Sequence, residues 1–296
     1  MSQPLSANAF AKTTAKTTAK TTAKTIVALR SSAQDYNAAY QDSGTGEVVL
    51  FLHGFMGEGS CWRSLITELE PHYRCISLDM LGFGQSSTPM IRYDIATLVS
   101  FVRQFIETLG LGSVTLVGHS LGGWVASAYA LAYGETVNAL VLLAPAGIRD
   151  DSFCGRYDHL RPLLWQTPVV DWGLALIKPL ATLTGKGEAI AQISWFRTQI
   201  NAQPAGRSFL VDRLRPEDAI DTVEKEIHRL RVPTLVITGD RDETIPLWHS
   251  QTYASEIPGA QLSILPDADH ALPQNYPVAV AEQIMPFLAA LPAASR

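Results

Sequence analysis

From Ile26 onward, short apolar runs rich in Val, Ile and Leu recur along the chain. They are Glu47–His53, Tyr73–Asp79, Ser113–His119, Val137–Leu143, Pro233–Gly239 and Gln261–Leu265. Runs that are apolar at successive positions leave no wet face, so they predict parallel strands covered on both sides. Between them, apolar residues return at helical spacing over Cys61–Glu70, Ile95–Leu109, Leu121–Tyr133 and Val278–Leu288. Strands alternating with helices predict an α/β fold, a doubly wound and mostly parallel sheet. Ile26–Tyr40 predicts a leading antiparallel hairpin.

The alternation stops between Ile148 and Arg231. This stretch holds Trp165, Trp172, Trp195 and Phe196, several prolines and the interrupted apolar segment Val169–Leu183. It predicts a helical insertion lying over the sheet edge as a cap; an ordinary pair of core helices is the alternative. A long insertion at the carboxyl side of a strand falls where open α/β sheets bind their ligands. The expected organisation is thus a tail over 1–25, a core from 26–147 and 232–296, and a helical cap over 148–231. Ala11–Lys24 repeats Ala-Lys-Thr-Thr at a four-residue period. Threonine is a weak helix former and nothing in the repeat can be buried, so a disordered tail is expected. Being cationic and free of acids, it also reads as a targeting or membrane-surface segment, although it has no apolar core for a secretory signal.

Composition narrows the classes. Hydrophobic residues make up 47% of the 296 and charged residues 17%, which rules out a disordered chain or a small disulfide scaffold. No apolar run approaches the roughly 18 residues of a spanning helix, so a soluble protein without stable membrane insertion is expected. The net charge of −5 hides an asymmetry: up to Arg30 there are four Lys, one Arg and no acid. The body is therefore acidic and excludes nucleic acid, which needs a basic face. The three cysteines, Cys61, Cys75 and Cys154, are widely spaced with no CxxC. They fit reduced thiols and a cytoplasmic location. No motif in the sequence specifies an oligomeric state.

One motif carries chemistry. Gly118-His119-Ser120-Leu121-Gly122-Gly123 follows a predicted strand and opens a predicted helix. A G-x-S-x-G serine there sits at a sharp strained turn, with free N–H groups of the helix start behind it. A serine hydroxyl needs a base, and the base an orienting acid, in the order Ser, Asp, His on such a sheet. His270 lies in the loop past the strand Gln261–Leu265, whereas His228 and His249 fall on charged or helical stretches and read as solvated. His53 and His119 sit beside glycine turns and are expected to shape them. Asp240 and Asp242 compete for the acid; Asp242, two residues further into its loop, is better placed to reach His270, leaving Asp240 to hold the loop or pair with Arg241. The His53-Gly54-Phe55-Met56-Gly57 turn can aim a backbone N–H at the same point as the Leu121 N–H, forming an oxyanion hole.

Together with Asp79-Met80-Leu81-Gly82-Phe83-Gly84-Gln85-Ser86 and Gly239-Asp240-Arg241-Asp242, these motifs resemble the α/β-hydrolase superfamily from about Tyr40 to Leu288. The resemblance implies Ser120 as nucleophile, His270 as general base, Asp242 as its partner, and Phe55 and Leu121 N–H groups as oxyanion donors. It also implies a helical cap. Two positions depart from the family pattern: Asp269 stands where glycine is common, and Asn275 where a glutamate is common. A serine elbow argues against haloalkane dehalogenase and epoxide hydrolase chemistry, which use aspartate. The expected reaction is ester hydrolysis on a small apolar or aromatic substrate, with Met56, Trp124, Trp165 and Trp172 as candidate pocket residues. Carbon–carbon bond hydrolysis or a related elimination by the same triad is the alternative; a ligand receptor without turnover is a third. No cofactor or metal is expected, since HExxH, Cys clusters and Walker or Rossmann glycine patterns are missing from the sequence.

Overall fold

The computed structural model describes residues 24–30, 34–150, 165, 167–212 and 221–291. The repeat up to residue 23 and Cys154 lie outside the described residues. In chain order the strands are β1 Thr25–Leu29, β2 Tyr36–Ser43, β3 Val48–Leu52, β4 Arg74–Leu78, β5 Val114–His119, β6 Val137–Leu143, β7 Thr234–Gly239 and β8 Gln261–Leu265. The helices are α1 Arg63–Leu69, α2 Ile95–Thr108, α3 Leu121–Tyr133, α4 Pro168–Leu183, α5 Gly187–Ala202, α6 Pro204–Asp212, α7 Leu247–Glu256, α8 Leu272–Asn275 and α9 Pro277–Ala289. The strands form one eight-stranded sheet in the order β1-β2-β4-β3-β5-β6-β7-β8. The expected hairpin β1–β2 is antiparallel and adds antiparallel to β4; from β4 to β8 every pair is parallel.

The uninterrupted apolar runs are explained by two cores. Along β3, Leu50 and Leu52 enter a cluster with Leu98, Phe101 and Phe105 of α2 and Val125 of α3. Val49 and Phe51 enter another with Leu65 of α1, Trp62, and Ile284 and Phe287 of α9. Side chains alternate across a pleated strand, so a strand sandwiched by helices must be apolar at every position. Helix α1 leads from β3 to β4 on one face; α2 then carries the chain back across the other face to β5, on the far side of β3. The winding reverses between β3 and β5, and ligands of open α/β sheets settle beyond the carboxyl ends at such a reversal.

Among the described residues, the segment between β6 and β7 holds α4, α5 and α6 and no strand. Neither α4 nor α5 contributes to the two main cores. Helix α4 packs on α5, and α5 on α6. Helix α6 sits on the loops beyond β3 and β4: Ala205 is fully buried, Ser208 Oγ accepts from the Tyr93 N–H at 3.0 Å, and Phe209 meets Phe55 edge-on at 6.4 Å.

The boundary drawn for the tail needs correction. Thr25 opens β1, and the Lys24 side chain is only 7% exposed, with its ammonium against Asp79 and Glu58. A lysine can be buried when carboxylates await it, and composition carries no sign of such a partner.

Candidate active site

The turn after β5 is strained and tightly held. Ser120 has φ +53° and ψ −115°, backbone geometry costing a non-glycine residue about 1–3 kcal/mol. Its N–H donates to the Leu143 carbonyl at 2.9 Å, and its own carbonyl accepts from the N–H groups of Gly123, Trp124 and Ala146. The flanking glycines are steric requirements. A Cβ on Gly122 would lie 1.9 Å from the Leu52 carbonyl oxygen, and one on Gly118 2.3 Å from that of Gly122. Thus the elbow is wedged against the carboxyl end of β3.

The loop beyond β3 approaches the same place. A Cβ on Gly54 would stand 3.0 Å from His119 Nδ1 and 3.3 Å from Ser120 Cβ. His53 Nδ1–H donates to the Gly54 carbonyl at 2.8 Å while its Nε2 accepts from the Met80 N–H at 3.0 Å, which fixes one neutral tautomer. Burial pushes the His53 pKa down and keeps it neutral. Asp79, fully buried, accepts from the Gly59 N–H at 2.6 Å, the Gln85 N–H at 2.8 Å and Lys24 Nζ at 2.7 Å. Lys24 also donates to Glu58 at 2.9 Å. Burial pulls the Lys24 ammonium down, but Asp79 and Glu58 hold it above its usual value. The Ser86 hydroxyl donates to the Asp79 carbonyl at 2.5 Å and accepts from the Ala39 N–H. The Asp79–Ser86 motif is therefore a clamp on the 53–59 loop. Met56 in that loop has φ +57° and is half-buried. Among the described residues, neither the Phe55 N–H nor the Leu121 N–H donates to another protein group.

The third arm comes from the loops after β7 and β8. The Asp242 carboxylate is fully buried. Its Oδ1 accepts from the N–H groups of Thr244 and Ile245, each at 2.8 Å, and its Oδ2 accepts from His270 Nδ1–H at 2.7 Å. Asp240 is exposed, and Arg241 pairs with Asp267 instead of its neighbour. The His270 loop is pinned to the elbow: His119 Nε2–H donates to the His270 carbonyl at 2.8 Å, with the rings 4.7 Å apart. Burial, helped by His270, lowers the His119 pKa to about 3. The structure makes no hydrogen bond between Ser120 Oγ and His270. In unliganded sites such contacts are commonly long and tighten when substrate binds.

The two departures from the family pattern meet each other. Asn275 Nδ2 donates to both oxygens of Asp269, at 3.2 and 3.1 Å, and Asp269 also accepts from the Ala271 N–H at 2.9 Å. Asp269 thus ties the residues entering α8 to the last residue of that turn. Trp124 donates from Nε1 to the Asp221 carbonyl at 3.1 Å. Trp165 and Trp172 are 61% and 68% exposed on the insertion, and no contact brings either to Ser120. His228 is solvated as expected; His249 is not. It is buried, bonded to Asp150 at 3.2 Å, and burial lowers its pKa. Lys24, Glu58 and the Asp150–His249 pair were invisible to sequence reasoning, Lys24 because it ends a low-complexity repeat. Among the described residues no cluster of three His, Cys, Asp or Glu could hold a metal, and no helix is long and apolar enough to cross a membrane.

Residues 49–283 match the Alpha/beta hydrolase family. The chain is 30% identical over 270 residues to 2-hydroxymuconate semialdehyde hydrolase of Pseudomonas sp. (strain CF600), covering 86% of this chain and 91% of that one. It is 28% identical over 258 residues to 2-hydroxy-6-oxo-6-(2'-aminophenyl)hexa-2,4-dienoic acid hydrolase of Metapseudomonas resinovorans, covering 84% and 86%. Among solved structures, a thermophilic esterase from Thermogutta terrifontis superposes with a TM-score of 0.69 at 25% identity, covering 90% of this chain and 98% of that one.

Proposed function

Since the chain belongs to the alpha/beta hydrolase family, we propose that it hydrolyses carboxylic esters of small apolar or aromatic substrates through Ser120, His270 and Asp242. Asp242 accepts a hydrogen bond from His270 Nδ1–H, which leaves the Nε2 lone pair to take the proton of Ser120 Oγ as that oxygen attacks the ester carbonyl. The Phe55 and Leu121 N–H groups bind the resulting oxyanion, each contributing about 10²–10³ in rate. The alcohol leaves with the proton from His270; the imidazole then activates water, and the acyl group departs as the acid. Helices α4–α6 serve as the cap, with Met56 and Trp124 beneath it. The free thiols of Cys61 and Cys75 support a reducing, cytoplasmic compartment.

The observation that carries this reading is the fully buried Asp242 bonded to His270 Nδ1, on a loop tied back to the residue preceding Ser120. Carbon–carbon bond hydrolysis is the second reading, favoured by the names of the two curated relatives above. A p-nitrophenyl ester series assayed against a vinylogous diketone separates them. We expect faster ester turnover and a loss of at least about 10³ in kcat for Ser120→Ala with the fold retained. Full activity in that variant, or turnover of the diketone alone, would overturn the ester reading.

A further inference from the structure

Helix α4 presents an apolar face that none of the described residues covers. It buries only Leu174 and Ala181, seven residues apart on one side. At 100° per residue, Val169, Trp172, Leu176, Leu180 and Leu183 fall together on the opposite side. Leu176 and Leu183 are 83% and 85% exposed, and the other three are more than 60% exposed. Monomers rarely leave a contiguous patch of this kind in water, and burying each such side chain is worth about 1.5–3 kcal/mol. Among the described residues α4 stacks on α5, and α5 on α6 over the site loops, with the stripe on the side of α4 away from Leu174 and Ala181.

The stripe itself carries no charge: both ionisable residues of α4 lie toward the side of Leu174 and Ala181. The ionisable residues of α4 are Asp171 and Lys178, and Asp171 is neutralised by Arg197 at 2.7 and 3.0 Å. Trp165 and Trp195, on the same insertion, are more than half exposed. Tryptophans favour the headgroup level of a bilayer, and lysine stems reach from apolar surface to polar headgroups. Strand register fixes where the cationic repeat leaves the fold. Thr25 pairs with Tyr40, Tyr40 with Leu78, and Leu78 with Leu52. Lys24 is thus held at the carboxyl end of the sheet, the end that the insertion covers. The 23 residues preceding it carry Lys12, Lys16 and Lys20 and no acid. A second copy docked on this face would bring two cationic tails together, whereas an anionic surface attracts both the tail and the stripe.

We propose that the α4 stripe docks on an anionic lipid bilayer, with the N-terminal repeat as its electrostatic arm. The docking is independent of which bond the site cleaves, because it is read by binding. The test is co-sedimentation of the full chain with phosphatidylcholine vesicles, with and without a quarter phosphatidylglycerol, at low and high salt. The expected result is binding to the mixed vesicles that weakens with salt. Leu176→Ser/Leu180→Ser/Leu183→Ser weakens binding at least about a hundredfold at either salt while leaving turnover of a soluble ester and the circular dichroism melt unchanged. Deleting residues 1–23 removes the preference for anionic vesicles, about a hundredfold at roughly 1 kcal/mol per lysine. No vesicle binding, or binding indifferent to the triple substitution, overturns the proposal. So does a wild-type dimer by light scattering that the triple variant converts to monomer without vesicle binding. Loss of soluble-ester turnover in the wild type overturns only the proposed reaction.

Discussion

At the scale of single residues, identity matters most where backbone is crowded or a proton must be steered. Gly118 and Gly122 admit no Cβ, and Ser120 is held in left-handed geometry by four backbone hydrogen bonds. Asp242 and Asp240 stand two residues apart, yet only Asp242 is sequestered with three donors on it. Asp242→Asn should therefore lower kcat by about 10³–10⁴ by inverting the imidazole's hydrogen bond, and Asp240→Asn by less than about twofold. Steady-state kinetics on both variants checks this ranking, and the reverse order would hand the acid role to Asp240. This much was legible in the sequence, because loop position after a strand already favours one aspartate. The mutual bonding of Asp269 and Asn275 was not legible: each is an unremarked polar residue until the α8 turn brings them within 3.2 Å.

At the scale of elements, the loops beyond β3 and β4 behave as one unit built around a buried carboxylate. Asp79 holds the Gly59 and Gln85 N–H groups and is neutralised by Lys24 from the preceding segment. Both charges are nearly dry, so removing one strands the other. Lys24→Met should cost about 3 kcal/mol of stability by urea denaturation and lower kcat for a soluble ester more than it raises KM, because the displaced loop carries the Phe55 N–H. Lys24→Arg should recover most of both, while deleting residues 1–23 should leave the soluble-ester rate unchanged. An unaltered denaturation midpoint in Lys24→Met would show that Asp79 is satisfied by its backbone donors alone. Helix and strand boundaries in this region followed from periodicity, since burial on both faces of the sheet imposes it. The Lys24 contact did not, because a four-residue polar repeat has the composition of a solvated segment and its last member is distinguished only by the register of β1.

At the scale of the whole molecule, acid stability follows from three buried imidazoles. Burial lowers the pKa values of His53, His119 and His249, the second to about 3. The unfolded chain binds protons at these positions as pH falls through about 6.5, whereas the folded chain does not, so their contribution is complete above that pH and is lost below it. Each imidazole removes up to about 1.4 kcal/mol of stability per pH unit within its window. Urea midpoints should change little on their account from pH 8 to 7 and fall steeply from 6.5 to 5, with a shallower fall in His119→Gln. A midpoint independent of pH over that range would mean that these rings take up protons in the folded protein. The amino-acid sequence by itself determined the strand and helix succession, the helical character of the insertion and the serine elbow, because hydrophobic period and glycine spacing are local quantities that physics reads along the chain. Only the tertiary structure decided that Lys24 closes a buried ion cluster, that His249 is dry, and that the apolar side of α4 is left facing outward. Those outcomes depend on which distant segments approach one another, and partners in space leave no period in a one-dimensional string.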